Sequence, residues 1–416
     1  MPKFEEYTEY LFSQVPMFQN VGSDAYKEGL ENTHILDEHF GHPHTQFRTI
    51  HIAGTNGKGS CSHTIASVLQ EAGYKVGLFT SPHLTDFRER IRVNGVMISK
   101  QYVMDFIDHE RSFFEPLHPT FFELTTAMAF KYFAEQKVDV AIIEVGLGGR
   151  LDCTNIITPD ISIITNISFD HVQYLGDTLA KIAGEKAGII KKGVPVVIGE
   201  TNPETTPVFV AKAQEEQADI IFAEQYQPNE SYDYELKGYY QVKNKQTSLC
   251  AIEQLIHQGY HITPKDIRNG LLHVTRNTGL RGRWQIVHHS PTVICDTGHN
   301  VGGITYTAQQ LKVQRRKTLR IVFGMVSDKD VNSVLELMPK HAVYYFCQAS
   351  VKRAMPHQQL KKLAKQHGLQ GNSYKSVENA YKKAISQSDP KDCIFVGGST
   401  FVVADFLSYE EKNKYL

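Results

Sequence analysis

Gly54-Thr55-Asn56-Gly57-Lys58-Gly59-Ser60 follows the apolar run Thr49-Ile50-His51-Ile52-Ala53 and opens a stretch, Lys58 to Ala72, that reads as a helix closed by Gly73. A strand, a glycine-rich turn and a helix in that order suit a phosphate group. The glycines let backbone N–H groups turn toward an anion, the helix start adds a favourable dipole, and Lys58 supplies a mobile positive charge. The loop departs from the common Gly-x-x-x-x-Gly-Lys-Ser/Thr pattern twice. It has fewer residues before Gly57-Lys58, and Gly59 precedes Ser60. A bare glycine-rich turn can be purely structural, but here strand, glycines, lysine and helix coincide.

Outward from this loop, apolar runs alternate with helix-like stretches, the pattern of an α/β fold with a largely parallel sheet. Strands are expected at Thr49 to Ala53, Lys75 to Thr80, Val138 to Val145, Asp160 to Ile167 and Val194 to Gly199, with a second helix at Phe121 to Glu135. Several are apolar almost throughout, as strands covered on both faces must be. The polar, aromatic-rich stretch Asn229 to Lys245 reads as a hairpin excursion. A second alternation starts after Arg283, with strands at Thr292 to Cys295, Leu319 to Gly324, His341 to Phe346 and Asp392 to Val396. Helices near Gly302 to Val313, Asp330 to Met338, Gln358 to His367 and Val377 to Gln387 fall between them. The expected division is a domain that carries the phosphate loop at 1–287 and a smaller domain at 288–416, the boundary lying near Trp284 to Pro291.

Two domains suit 416 residues, and 41% hydrophobic against 21% charged residues is ordinary for a globular chain. With 44 basic and 45 acidic side chains the net charge is −1, so no global field recruits nucleic acid or an anionic membrane. The start Met1-Pro2-Lys3-Phe4-Glu5-Glu6 lacks the basic and apolar regions of a signal peptide, and no run suits a membrane span. A cytoplasmic location is expected. Six cysteines lie far apart with no zinc spacing and read as reduced; Cys295 and Cys393 sit in apolar runs as packing residues.

Glu144 ends the apolar run from Val138 and opens a glycine-rich turn. The carboxyl end of a buried parallel strand is where an open α/β sheet meets its ligands, and Mg²⁺ prefers hard oxygen donors. Ser81 and His171 also follow apolar strands. Taken alone, Ser81 before Pro82 is as easily a turn residue and His171 a hydrogen-bonding one. Lys186 alone reads as an ordinary helix lysine, and Phe121 and Phe122 as core residues.

An ordered set of segments changes that balance. It comprises Ala25-Tyr26-Lys27-Glu28-Gly29-Leu30, Ile50 to Ser60, Thr80-Ser81-Pro82-His83-Leu84, Glu144 to Asp152, Asp170-His171, Gly184 to Ile189, Gly282-Arg283 and Asp328-Lys329-Asp330. The set resembles the folylpolyglutamate synthase/dihydrofolate synthase family of the Mur ligase superfamily over most of the chain. The resemblance implies a P-loop ATPase domain with a largely parallel sheet plus a Rossmann-like C-terminal domain for the amino acid. It implies ATP held by Gly54, Thr55, Asn56, Gly57, Lys58, Gly59, Ser60, Asn244, Arg283 and Asp296. One Mg²⁺ would be served by Ser81 and Glu144, and a second by His171. Lys186, in Glu185-Lys186-Ala187-Gly188-Ile189, matches a lysine that adds CO₂ to become a carbamate, which suits a desolvated amine beside a metal.

Thr120-Phe121-Phe122-Glu123 and Arg150-Leu151-Asp152 match segments holding the pterin-bearing substrate, and His299 is the candidate for the incoming amino acid. Two departures stand out. Cys295-Asp296-Thr297-Gly298-His299-Asn300-Val301 replaces the usual Asp-Gly-Ala-His-Asn-Pro form around Asp296, and Tyr240-Gln241 replaces the usual His-Gln before Asn244. The implied reaction is ATP-dependent ligation, in which a dihydropteroate or tetrahydrofolate carboxylate becomes an acyl phosphate and the L-glutamate amine displaces phosphate. Lys58, Glu144, His171 and Lys186 would carry the catalysis. The partners expected of a monomeric chain are these small molecules, with no nucleic acid or membrane. The rivals are another Mur-type amino-acid ligase, whose usual extra amino-terminal domain is not expected here, and a nucleotide-binding regulator built on a dead ligase. Retention of Ser81, Glu144, His171 and Lys186 together argues against the second.

Overall fold

The computed structural model describes residues 3–14, 29–314 and 316–413; the stretch Ala25 to Glu28 of the resemblance lies outside them. The chain forms two compact units. One ends at Leu280 and the other runs from Arg281 onward, but Leu236–Tyr240 belongs to the second unit although it interrupts the first in sequence.

In the first unit eight strands form one sheet in the order β4-β3-β2-β5-β1-β6-β7-β8. They are β1 (Arg48–Ala53), β2 (Val76–Phe79), β3 (Ile91–Val93), β4 (Val96–Met97), β5 (Val140–Glu144), β6 (Ile161–Ile164), β7 (Val196–Ile198) and β8 (Ile220–Phe222). From β2 to β8 all neighbours are parallel. Strands β2, β5, β6 and β7 are buried along their whole length, which explains their unbroken apolar sequences. Beyond β2 the pairing turns antiparallel, with Phe79 opposite Ile91, and β3 returns as β4 through Asn94-Gly95, both at positive φ. Asn-Gly is the favoured pair for such a two-residue turn.

The helix Phe121–Glu135 packs its aromatic face on one side of this sheet, where Phe121, Phe130 and Phe133 join Phe79, Phe106 and Phe114 in one buried cluster. Gly77 in β2 makes room, since a Cβ there would stand 3.0 Å from the Phe133 ring. The expected hairpin between Asn229 and Lys245 does not form. No strand lies there, and Gln241–His257 is a helix. The aromatics of that stretch instead serve as anchors: Tyr232 and Tyr234 are buried, and the Tyr234 hydroxyl bonds to Thr64 Oγ1 at 2.7 Å.

The second unit carries a six-stranded sheet, β13-β12-β11-β14-β10-β9. Its strands are β9 (Gln285–His289), β10 (Thr292–Asp296), β11 (Leu319–Phe323), β12 (Val343–Cys347), β13 (Gly371–Tyr374) and β14 (Cys393–Gly397). All pairs are parallel except β9 with β10. Strand β9 lies within the stretch Trp284 to Pro291 where the domain boundary was expected and no strand was, because an edge strand that depends on β10 leaves no long apolar run. Trp284, Ile294, Phe323, Phe346 and Phe395 are among the residues of this unit's own core.

Candidate active site

The loop Gly54 to Gly57 leaves β1 and is strapped to the segment after β6. Thr55 N–H donates to the Asn166 carbonyl at 2.9 Å, Asn56 N–H to Asn166 Oδ1 at 2.9 Å, and Thr165 Oγ1 to the Asn56 carbonyl at 2.6 Å. Thr55 and Ser168 exchange a further pair of bonds at 3.1 Å. The helix Lys58–Glu71 starts at Gly57, whose φ of 90° is glycine territory. Lys58 Nζ lies over the loop it must serve, donating to the Gly54 and Thr55 carbonyls at 3.0 and 3.3 Å. From the other side the helix Gln241–His257 contributes Gln241, whose amide nitrogen donates to Ser60 Oγ at 3.0 Å, and Asn244, which donates to Gln241 Oε1 at 2.9 Å. Asn244 is therefore part of the loop's support.

Strands β2, β5, β1 and β6 are adjacent and parallel, so their carboxyl ends share one edge. Glu144, 3% exposed, ends β5, and its Oε2 accepts the Ser81 N–H at 3.3 Å from the end of β2. His171 follows β6 at a left-handed φ of 50° and begins the short helix Val172–Leu175, with Nε2 3.8 Å from Asp170 Oδ1. Among the described residues no three His, Cys, Asp or Glu side chains converge as a self-sufficient metal centre. A Mg²⁺ site does not require one, since a buried carboxylate, a hydroxyl and phosphate oxygens make a hard donor set. Ser81 and Glu144 fit that description.

Lys186 lies on the helix Leu179–Ala187 and is 4% exposed. Burial, helped by the nearby charge of Lys58, pulls its ammonium down to about 7, although Asp170, Asp152 and Glu185 act in the opposite direction. The turn Gly146 to Asp152 is pressed on that helix. A Cβ on Gly149 would stand 2.8 Å from the Glu185 carbonyl, and one on Gly188 would stand 2.4 Å from Arg150 Cα. These close approaches account for Gly149 and Gly188. Arg150 pairs with Glu185 at 2.9 Å. Asp152 is buried and accepts the N–H groups of Leu147 and Thr154 at 2.8 and 3.0 Å, with burial raising its carboxyl pKa.

In the segment Thr120 to Glu123, Thr120 and Glu123 form a reciprocal capping box at the start of Phe121–Glu135, and Asn32 also reaches Glu123 Oε2 at 3.5 Å. Phe121 is buried, while Phe122 lies against Gly146 and Phe79. Leu151 is half-buried in the glycine-rich turn.

In the second unit Asp296 closes β10 with both oxygens engaged. Oδ2 accepts the Tyr240 hydroxyl at 2.5 Å and the Trp284 N–H at 2.8 Å, and Oδ1 accepts the Gly298 N–H at 2.8 Å. Arg283 donates to Thr297 Oγ1, and His299 Nδ1 lies 3.0 Å from the Thr297 carbonyl. Asn300 caps the helix Val301–Val313. Sequence reasoning passed over Thr165, Asn166, Ser168 and Gln241, which hold the phosphate loop. Their only signal was position, just past β6 or one turn before Asn244. It also assigned no role to His83 or Arg90, whose contact is a 2.8 Å bond from Arg90 Nε to His83 Nδ1.

The Mur ligase middle domain model matches residues 52–263, and that of the Mur ligase glutamate ligase domain matches 282–400. The dihydrofolate synthase/folylpolyglutamate synthase of Bacillus subtilis is 38% identical over 77% of this chain and 81% of its own. That of Escherichia coli is 31% identical over 95% and 94%. Escherichia coli FolC in complex with DHPP and ADP superposes with a TM-score of 0.86 and 29% identity, covering 99% of both chains. A bifunctional folylpolyglutamate synthase/dihydrofolate synthase with Mn, AMPPNP and L-glutamate bound gives 0.85 and 28%, covering 99% of this chain and 98% of that one. With the two domain models in sequence order and the Escherichia coli relative matched nearly end to end, the chain belongs to the folylpolyglutamate synthase/dihydrofolate synthase family of the Mur ligase superfamily.

Proposed function

We infer that the chain is an ATP-dependent ligase that joins L-glutamate to the carboxylate of a folate-type acid, dihydropteroate or a tetrahydrofolate, through an acyl phosphate. One observation carries the reading: among four adjacent parallel strands, Glu144 ends β5 while the phosphate loop, Ser81 and His171 follow β1, β2 and β6. Phosphoryl transfer to a carboxylate needs a phosphate cradle, a charge on the transferring group and a hard-metal donor at one edge. That edge has all three.

Within this reading the Gly54 to Ser60 amides and Lys58 orient the terminal phosphate of ATP. Ser81 and Glu144 would hold one Mg²⁺ and His171 a second. The metal, when bound, neutralises charge developing between the phosphates and the attacking carboxylate. The segments Thr120 to Glu123 and Arg150 to Asp152 hold the acceptor acid. The second unit supplies Arg283 and Asp296 toward the nucleotide and His299 toward glutamate. Lys186 carries CO₂ as a carbamate. Its neutral amine forms the N–C bond and releases a proton, and burial favours that neutral amine.

The deciding measurement is phosphate release with ATP and glutamate, run once with dihydropteroate and once with tetrahydrofolate. Release that requires both glutamate and at least one acid supports the reading, and the two arms assign the substrate. Release independent of either would refute it.

A further inference from the structure

The acceptor is an anion that must be brought against the terminal phosphate of ATP, at an edge that already holds the carboxylate of Glu144. Like charges at contact distance repel strongly in a buried site. Lys58 and the metal answer the charge of the phosphates, and a separate cation would anchor the acid itself. Arg90 is in position for it. Because β3 runs antiparallel to β2, with Phe79 opposite Ile91, the residue just before β3 returns to the edge where β2 ends. There the Thr80 N–H donates to the Arg90 carbonyl at 3.0 Å, one residue from Ser81.

The Arg90 side chain is 3% exposed. Its guanidinium lies 5.0 Å over the ring of Phe121, in the segment assigned to the acceptor, and the charge of Glu144 acts on it from the metal side. Its Nε–H is given to His83 Nδ1 at 2.8 Å, and the His83 ring is stacked at 5.8 Å on Phe12. Glu89, its neighbour in sequence, uses its carboxylate to staple the loop, accepting the N–H groups of Leu84, Thr85 and Asp86. We propose that Arg90 is a further substrate-binding residue that takes the carboxylate of the acceptor acid, and that His83 is the positioning residue that aims its guanidinium fork. Arginine suits the task because its fork matches a carboxylate in two parallel hydrogen bonds. The proposal rests on the ligase reading above.

The test compares dihydropteroate with its neutral carboxamide, each titrated in the presence of a non-hydrolysable ATP analogue. Wild type should prefer the acid. Arg90→Gln should weaken the acid by at least about tenfold and leave the amide within about twofold, the size expected for one lost charged hydrogen-bond pair. Arg90→Lys should fall between the two, and unchanged binding of the ATP analogue marks each variant as folded. His83→Phe keeps a ring for stacking but no acceptor for Nε–H. It should raise KM for the acid without raising KM for ATP, and His83→Gln, which has an amide oxygen, should recover part of the loss. Equal weakening of acid and amide in Arg90→Gln, or no weakening of either, would overturn the assignment and leave Arg90 as a structural partner of Glu144. A wild-type protein that binds neither compound would overturn the ligase reading itself.

Discussion

Asn244 fills the space in front of Gly57: a Cβ on that glycine would stand 2.4 Å from Asn244 Oδ1. Gly57 also has a φ of 90°, which side chains rarely adopt. Gly57→Ala therefore meets a clash and a strained backbone together. We expect a loss of about 1–3 kcal/mol, taken mainly from ATP binding because the strain sits in the loop. Asn244→Ala relieves the clash but also removes part of the loop's support, so the double variant is compared with Asn244→Ala alone, and on that background Gly57→Ala should cost less, though not nothing, because the strain remains. Nucleotide titration of the single and double variants checks this, and no cost on that background would place the whole effect in the contact.

Lys58 Nζ already rests on the carbonyls of Gly54 and Thr55, so little reorganisation separates it from a bound phosphate. Lys58→Ala should lower turnover by about 10³-fold or more, the scale of losing a transition-state charge stabiliser. Its thermal unfolding should change by no more than those two half-buried hydrogen bonds contribute, about 1–2 kcal/mol. A near-normal rate would remove Lys58 from the chemistry.

The parts of this arrangement that were legible in the sequence are local. Gly54 to Ser60 declares itself because the strand, the turn and the helix are contiguous, and Glu144 because it ends an apolar run. The parts that were not legible depend on partners distant in the chain. Leu236–Tyr240 joins the second unit through Tyr240 and Asp296, 56 residues apart, which no local pattern encodes. Strand β9 pairs only with β10 at a sheet edge, so Gln285 to His289 lacks the long apolar run that marks a central strand. Asn166 is visible only once β6 is known to lie beside β1.

Lys186 makes stability depend on pH in a definite direction. Its folded-state pKa is about 7 against 10.5 for an ordinary lysine. Between those values the unfolded chain binds more protons, so stability rises with pH across that window, and the burial penalty is full below about pH 7. In buffer freed of CO₂, Lys186→Met should be more stable than wild type by a few kcal/mol at neutral pH, with the gain shrinking toward pH 10.5. Activity of this variant should be lost, and short carboxylates should restore part of it by replacing carbamate oxygens. Thermal unfolding from pH 6 to 10 checks the first statement. Native mass measurement of wild type with and without bicarbonate checks the carbamate, and an unmodified lysine in both would remove it.

The second unit separates support from substrate contact through two neighbouring residues. Asp296 is buried and receives three internal hydrogen bonds, from Tyr240, Trp284 and Gly298, so Asp296→Ala leaves three donors without their acceptor. It should cost about 2–4 kcal/mol of stability in addition to weakening ATP. Tyr240→Phe removes only one of the three bonds and should cost about 1 kcal/mol, with ATP affinity reporting how far that bond sets the aspartate. His299 is different, since the contact of its Nδ1, 3.0 Å from the Thr297 carbonyl, lies within its own loop. His299→Ala should raise KM for glutamate far more than KM for ATP. Paired titrations of glutamate and ATP at saturating acceptor, run beside unfolding curves for all three variants, distinguish these outcomes. If His299→Ala left both Michaelis constants and turnover unchanged, the amino acid would have to be held by other residues, and the assignment of His299 would fall while that of the phosphate loop stood.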